Sequence, residues 1–351
     1  MKSITVGKHN IGLSNPPFII AEMSGNHNHS LNRALDIVDA AATAGCHAFK
    51  IQTYTADTMT IKCNNDDFLI RSKKNNWFQY NNLYKLYQTA YTPWEWHDPI
   101  FRRCQELGMI GFSTAFDEQS VDFLESLNVP LYKIASFENT DLPLIKKIAS
   151  TGKPIIISSG MANVSEIFES TNTAREAGCE DLVVLKCTSS YPASPKDSNL
   201  LTIPHLQKLL NVLIGLSDHT LGIGVAIASV SLGARVIEKH FTLSRSEGGV
   251  DSEFSLEPLE MKMLVEEAER AYQSLGKIFY GISDDEKNNI CYRRSVYAVE
   301  DIEKGEKLTI KNVRRIRPGY GLPPKFYEIV VGRKALYNIK CGTPITWSCI
   351  E

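Results

Sequence analysis

The sequence predicts an α/β chain: a (β/α)8 TIM barrel followed by a small β-rich domain. Eight short, nearly continuous apolar runs rich in β-branched residues recur between residues 18 and 241, and segments with helical spacing separate most of them. Beyond Gly281 the pattern changes to short extended pieces broken by Gly and Pro. Strands buried on both faces read as continuous apolar runs, the signature of a parallel sheet covered by helices, and eight such units close into a barrel more readily than they stay open.

The runs are 18–23, 48–54, 111–116, 131–136, 154–160, 182–188, 212–219 and 236–241. In the first helix between them, Ser30 is the N-cap, Leu31, Ala34, Leu35 and Val38 form one apolar stripe, and Gly45 ends it. Residues 55–97 are too long for a plain connection and carry Trp77, Tyr80, Tyr84, Tyr87, Trp94 and Trp96. Long loops on the C-terminal face of a barrel shape sites, while the same aromatics could equally bury a small core of the insertion itself. The tail contains an internal echo: Asp301-Ile302, Gly305 and Leu308-Thr309 return as Asn338-Ile339, Gly342 and Ile345-Thr346, as two similar halves of one small domain would. The expected domains are 1–282 for the barrel, 283–291 for a linker and 292–351 for the small domain.

Composition narrows the function. With 351 residues, 43% hydrophobic and 22% charged, the chain can build one large core and a second small one. Its net charge of −2 and scattered Lys and Arg argue against a nucleic-acid partner. No apolar run reaches membrane-spanning length and residues 1–16 lack an export signal, so the expected location is the cytoplasm, with no membrane partner. Eight cysteines without a C-x-x-C pair signal neither a zinc cluster nor a disulfide framework.

The chemistry is carried by strand ends. Alternation puts Glu238 and His240 on one side of their strand and Ser217 and His219 on a common side next door, so two imidazoles can meet one divalent ion at the barrel mouth. Two His ligands leave positions open for water and substrate oxygens, the arrangement of a catalytic metal; a lone His is more simply a hydrogen-bonded core residue. Lys50 aligns with Gln52, and Lys133 sits among apolar neighbours, where a buried ammonium is costly without a counter-charge. With Ser136, Ser158 and Ser217 these lysines suit a phosphate and a carboxylate on one small ligand, or they pair internally with Glu22 or Glu138. A strand lysine also suits a Schiff-base aldolase, which has no use for paired histidines.

Taken in order, Ile19-Ile20-Ala21-Glu22, Asn26-His27-Asn28, Phe49-Lys50-Ile51-Gln52-Thr53, Lys133-Ile134-Ala135-Ser136-Phe137-Glu138, Ser158-Ser159-Gly160-Met161, Cys187-Thr188, Tyr191-Pro192, Gly215-Leu216-Ser217-Asp218-His219-Thr220, Glu238-Lys239-His240-Phe241 and Arg317-Pro318-Gly319 resemble the bacterial sialic acid synthase family over nearly the whole chain. The tail from about Tyr292 is similar to that family's C-terminal SAF domain, which is antifreeze-like. The resemblance implies a transferase that joins phosphoenolpyruvate to an open-chain amino sugar, and a domain-swapped homodimer in which Arg317 reaches the partner's barrel. It implies Mn2+, or Mg2+ or Co2+, on His219 and His240. It also implies phosphoenolpyruvate on Lys50, Lys133, Ser136, Ser158 and Ser217, and roles toward the sugar or the metal-bound groups for Glu22, Glu138, Glu238, Tyr191 and Asp251. Gln52, Thr114 and Ser189 complete the expected substrate contacts, and Glu22, Glu138 and Glu238 are the expected catalytic carboxylates. Segments 82–87, 92–97, 189–191 and 251–256 look like the pseudaminic branch, whose substrate is a 2,4-diacetamido-2,4,6-trideoxy-hexose. Legionaminic and N-acetylneuraminic acid synthases are the alternatives, ahead of an aldolase or a non-catalytic sugar-binding protein.

Overall fold

The computed structural model of the protein describes residues 2–71 and 76–351. The chain divides at Gly276 into two compact units. The helix Pro258–Ser274 ends two residues before this division.

The first unit begins with a two-stranded antiparallel hairpin, β1 (Ile4–Val6) and β2 (His9–Ile11). Eight parallel strands then close a barrel: β3 (Phe18–Glu22), β4 (Ala48–Thr53), β5 (Ile110–Ala115), β6 (Tyr132–Ile134), β7 (Ile155–Ser158), β8 (Leu182–Cys187), β9 (Leu213–Asp218) and β10 (Val236–His240), with β10 pairing back onto β3. Every expected run overlaps one of these strands. Around them lie α1 (Leu31–Thr43), then α2 (Ala56–Met59) and α3 (Leu83–Ala90) of the insertion, then α4 (His97–Glu106), α5 (Glu118–Ser126), α6 (Leu142–Ala149), α7 (Val164–Glu176), α8 (Thr202–Leu210), α9 (Gly224–Ser231) and α10 (Pro258–Ser274). In α1 the Ser30 hydroxyl accepts from the Arg33 N–H at 3.2 Å, and Gly45 just beyond the end takes φ +88°, which only glycine adopts freely. Among the described residues no helix is long and apolar enough to cross a membrane.

Alternation along the strands sorts side chains into an outer and an inner set. Ile19, Phe49, Ile134, Ile157 and Ile237 face out and join two apolar clusters. The inner set is layered. Phe18, Ile20, Ala48, Phe112, Leu131, Ile156, Leu185 and Val236 pack together near the strand starts, where Ile4, Val6 and Ile11 of the hairpin join the same cluster. Toward the strand ends the inner positions turn polar: Glu22, Lys50, Thr114, Lys133, Ser158, Ser217 and Glu238, all buried.

In the second unit, β11 (Ser295–Ala298) and β12 (Val313–Ile316) pair antiparallel, and isolated bridges, turns and the short α11 (Tyr327–Val330) enclose Val296, Leu308, Val313, Val330 and Ile345. The internal echo is structural. Ile302 and Ile339 exchange backbone hydrogen bonds of 2.8 Å in both directions. The Asp301 carboxylate accepts from the Cys341 N–H at 2.8 Å, and the Asn338 side-chain oxygen accepts from the Lys304 N–H at 2.8 Å. Gly305 and Gly342 take matching φ values of +84° and +86°. Each half therefore closes the turn of the other.

Candidate active site

The polar layer at the strand ends is an ion network. Lys50 Nζ lies 2.6 Å from Glu22 Oε2 and 3.8 Å from Glu238 Oε2, and it donates to the Thr114 hydroxyl at 3.0 Å. Lys133 Nζ lies 3.3 Å from Glu238 Oε1, which also accepts from the Ser217 hydroxyl at 3.0 Å. Gln52 and the Ser24 N–H each donate to Glu22 Oε1 at 3.1 Å. The internal pairing expected for Lys50 is present; that of Lys133 is made with Glu238 across the barrel rather than with Glu22 or Glu138. Burial would raise Glu238, but Lys133, Lys50 and the Ser217 hydroxyl overcome it and hold the carboxyl at about 2. Glu22, touching one lysine, is raised by its complete burial. Lys133 is lowered by burial, with Glu238 pulling the other way. Glu138 is pushed up to about 7 by burial, and its Oε2 is buried without a hydrogen-bond partner.

Above this layer the His219 and His240 rings stand 5.3 Å apart, centre to centre. His219 Nδ1 donates to the Thr188 carbonyl at 3.0 Å; burial works against the charged ring, but the neighbouring Cys187 and this carbonyl raise its pKa above the ordinary value. His240 Nδ1 is buried without a hydrogen-bond partner, 3.6 Å from Asp251 Oδ2. Burial first, then the neighbouring His219, push His240 well below its ordinary pKa, so the ring is neutral, the form that ligates a metal. Two imidazoles this close, one with a buried ring nitrogen lacking a partner, are the residues that would hold one divalent ion here. Among the described residues no group of three or more His, Cys, Asp or Glu is gathered to hold an ion, so one resting here would keep its remaining positions for water or ligand oxygens.

A cavity of about 420 Å³ opens over these groups. Lys50, Gln52, Thr114, Lys133, Ser136 and Ser158 line its floor; Ser217, Glu238, Glu138, Tyr191, Asp251 and both histidines complete the expected set around it. Glu22 and Ser189 are not among the residues that line it. Glu22 is held behind Lys50, and Ser189 packs against Gly160 and Ser136, so closely that a Cβ on Gly160 would collide with the Ser189 hydroxyl. Arg317 belongs to the second unit and follows β12 in the turn that Pro318 and Gly319 continue. Lys50 and Lys133 are both paired with carboxylates.

The insertion's aromatics divide between lining the cavity and packing against the body of the barrel rather than on a core of their own. Trp77, Leu83, Leu86 and Tyr87 line the cavity, whereas Trp94 stacks on Phe123 with ring centres 4.6 Å apart and Trp96 packs edge-on against His27 at 5.4 Å. Residues 72–75 of the insertion lie outside the described residues. Trp77 donates to Asp251 Oδ1 at 3.4 Å and sits 5.2 Å from the Tyr191 ring; the Ser24 hydroxyl bonds the other Asp251 oxygen. Ser24, Tyr54 and Cys187 also line the cavity, beyond the residues the sequence singles out. Cys187 and Tyr54 have a usable signal: Cys187 alternates with Leu185 and Val183 on the inner side of β8, and Tyr54 continues the alternation of Lys50 and Gln52.

A model of the NeuB family matches residues 37–280, and one of the SAF domain matches residues 293–351. A pseudaminic acid synthase of Campylobacter jejuni is 43% identical over 325 residues, 93% of this chain and 94% of its own length. One of Helicobacter pylori is 42% identical over 338 residues, 96% of this chain and 98% of its own. The solved structure of an N-acetylneuraminic acid synthetase from Leptospira borgpetersenii superposes with a TM-score of 0.73 at 33% identity, covering 83% of this chain and 96% of that one. The family match runs from α1 to beyond α10 and takes in seven of the eight barrel strands with both histidines; the chain belongs to the NeuB family of synthases.

Proposed function

We propose that the protein condenses phosphoenolpyruvate with an open-chain 2,4-diacetamido-2,4,6-trideoxy-hexose to give pseudaminic acid and phosphate. The observation that carries this reading is the pairing of two buried lysines with the two imidazoles at one barrel mouth, in a chain that matches pseudaminic acid synthases over more than nine-tenths of its length. Lys50 and Lys133, with Ser136, Ser158 and Ser217, hold the phosphate and carboxylate of phosphoenolpyruvate and orient its C3 toward the sugar aldehyde. When bound, a divalent ion such as Mn2+ on His219 and His240 supplies a Lewis acid for the aldehyde oxygen. Glu238, ionised at neutral pH, orients the water that attacks C2 before phosphate leaves by C–O cleavage. Glu138, poised near neutral, is the better proton carrier. Trp77, Leu83 and Leu86 offer an apolar wall that accepts the methyl of a 6-deoxy sugar where a hydroxyl would lack a partner.

A phosphate-release panel tests the reading. The 6-deoxy diacetamido sugar should turn over fastest, N-acetylmannosamine more slowly, and a chelator should stop turnover reversibly. Faster release with N-acetylmannosamine moves the chain to the neuraminate branch, and full activity of metal-free protein removes the ion from the mechanism.

We further propose a homodimer in which Arg317 completes the partner subunit's site, its planar guanidinium meeting a carboxylate or acetamido oxygen. Arg317→Ala and His219→Ala should each be nearly inactive, and mixing them should restore part of the activity through dimers with one intact barrel and one intact arginine. No recovery after verified subunit exchange rules the arrangement out.

A further inference from the structure

Asp218 and Lys239 lie directly opposite each other in the register of β9 and β10, on the outer face of the barrel, where Leu216 and Ile237 enter an apolar cluster. Lys239 Nζ donates to Asp218 Oδ2 at 3.1 Å and to the Thr220 carbonyl at 2.5 Å, and Asp218 Oδ1 accepts from the Thr220 N–H at 2.9 Å. The Lys239 and Asp218 side chains are 0% and 2% exposed. A pair buried this deeply is poorly explained as a stability element, because desolvating two charges offsets most of their attraction and apolar residues of similar volume serve as well.

Its position suggests another use. Asp218 and Thr220 bracket His219, and Lys239 immediately precedes His240. One ammonium thus ties both sides of the first imidazole to the residue that carries the second. Among the described residues this is the single ion pair joining neighbouring barrel strands on their outer face, and it joins the two strands that present the histidines. On β8 the outward Lys186 bonds instead to the Cys187 carbonyl and the Thr188 hydroxyl of its own strand end.

We propose that Asp218 and Lys239 are positioning residues: their ion pair locks the ends of β9 and β10 together and sets the separation of His219 and His240 from behind the site. This rests on the reading of those histidines as ligands of one divalent ion. Both imidazoles stand where the continuous ladder ends, His240 closing β10 and His219 one residue past β9; beyond them the backbone is held by isolated bridges, Ala193 with Thr220 and Phe241 with Leu256, which join other segments rather than β9 to β10. A second tether at this point, outside the ligand shell, fixes ring positions without occupying a coordination site.

The test is the double variant D218N/K239M in the full-length protein. The introduced amide retains an acceptor for the Thr220 N–H, the introduced thioether keeps most of the length of the lysine side chain, and no buried charge is left alone, as it would be in K239M. Expected are an unfolding midpoint close to wild type, a 10- to 100-fold weaker affinity of the apoprotein for Mn2+ by titration calorimetry, about the same loss in kcat, and a KM for phosphoenolpyruvate within about twofold of wild type. A folded double variant with wild-type Mn2+ affinity and kcat overturns the proposal; so does a double variant that fails to fold, since the pair would then be a stability element. If wild type binds no Mn2+, the ligand reading fails by itself. The ring separation in crystal structures of wild type and variant then decides the tether, with an unchanged separation overturning it and a changed one supporting it.

Discussion

Within two residues of β4, roughly 7 Å of chain, the inner face passes from Ala48, packed with Phe18, Ile20 and Phe112, to Lys50, paired with Glu22. Neighbouring strands make the same passage, from Ile20 to Glu22, from Phe112 to Thr114 and from Val236 to Glu238. The lower layer removes apolar surface from water and holds the fold. The upper layer buries two ammonium groups and two carboxylates that stability alone does not need. Function is thus written in the inward residues nearest the strand ends, and stability in those nearest the strand starts.

The largest effect should come from the upper layer. Glu238→Gln combined with Lys133→Met removes the pair without leaving Lys133 as a lone buried charge, so phosphate release should fall about 10²- to 10⁴-fold while the unfolding midpoint moves little. A comparable loss of fold would break the division of labour. Phe112→Ala should do the reverse, costing about 3–5 kcal/mol in urea unfolding while the folded fraction retains its turnover.

The smallest effect separates the barrel mouth from its body by the sign of a pH dependence. His97, buried behind β4 and bonded to the Thr53 hydroxyl at 2.8 Å, is lowered to about 4, chiefly by desolvation. Between pH 6.5 and 4 the unfolded chain binds a proton that the folded chain refuses, so wild type loses stability on acidification. His97→Gln should therefore gain about 3 kcal/mol on wild type between pH 7 and 4. Glu138, raised to about 7, has the opposite linkage: its contribution is complete below pH 4.5 and is lost as pH rises through 7. Glu138→Gln should gain on wild type over that rise. Denaturant midpoints across the range read both slopes, and slopes of equal sign would show that the mouth titrates like the body.

Much of this is legible in the sequence because facing follows from position along a strand. Period two places Lys50, Lys133, Ser217, Glu238 and the histidines on the inner side once the strands are recognised. What alternation does not reveal is who meets whom across the barrel. The sequence offers Lys133 a partner in Glu22 or Glu138, and the fold gives it Glu238, 105 residues away. Trp77 and Asp251 meet over 174 residues of sequence, through a loop folded back over the mouth, and no local pattern encodes that contact. The insertion's aromatics divide between lining the cavity and packing on the body of the barrel because both demand the same residue types.

The exchanged bonds of the second unit bear on the order in which the chain can become ordered as it is made. Residues 295–316 leave the ribosome before 338–350, yet the Lys304 amide waits for Asn338, Ile302 for Ile339, and the cluster around Val296 and Leu308 for Ile345. The leading half has every turn it needs and no way to bury its face alone. The barrel's last strand and closing helix precede all of this in sequence, so the barrel can close while the smaller unit is still a chain in search of its second half.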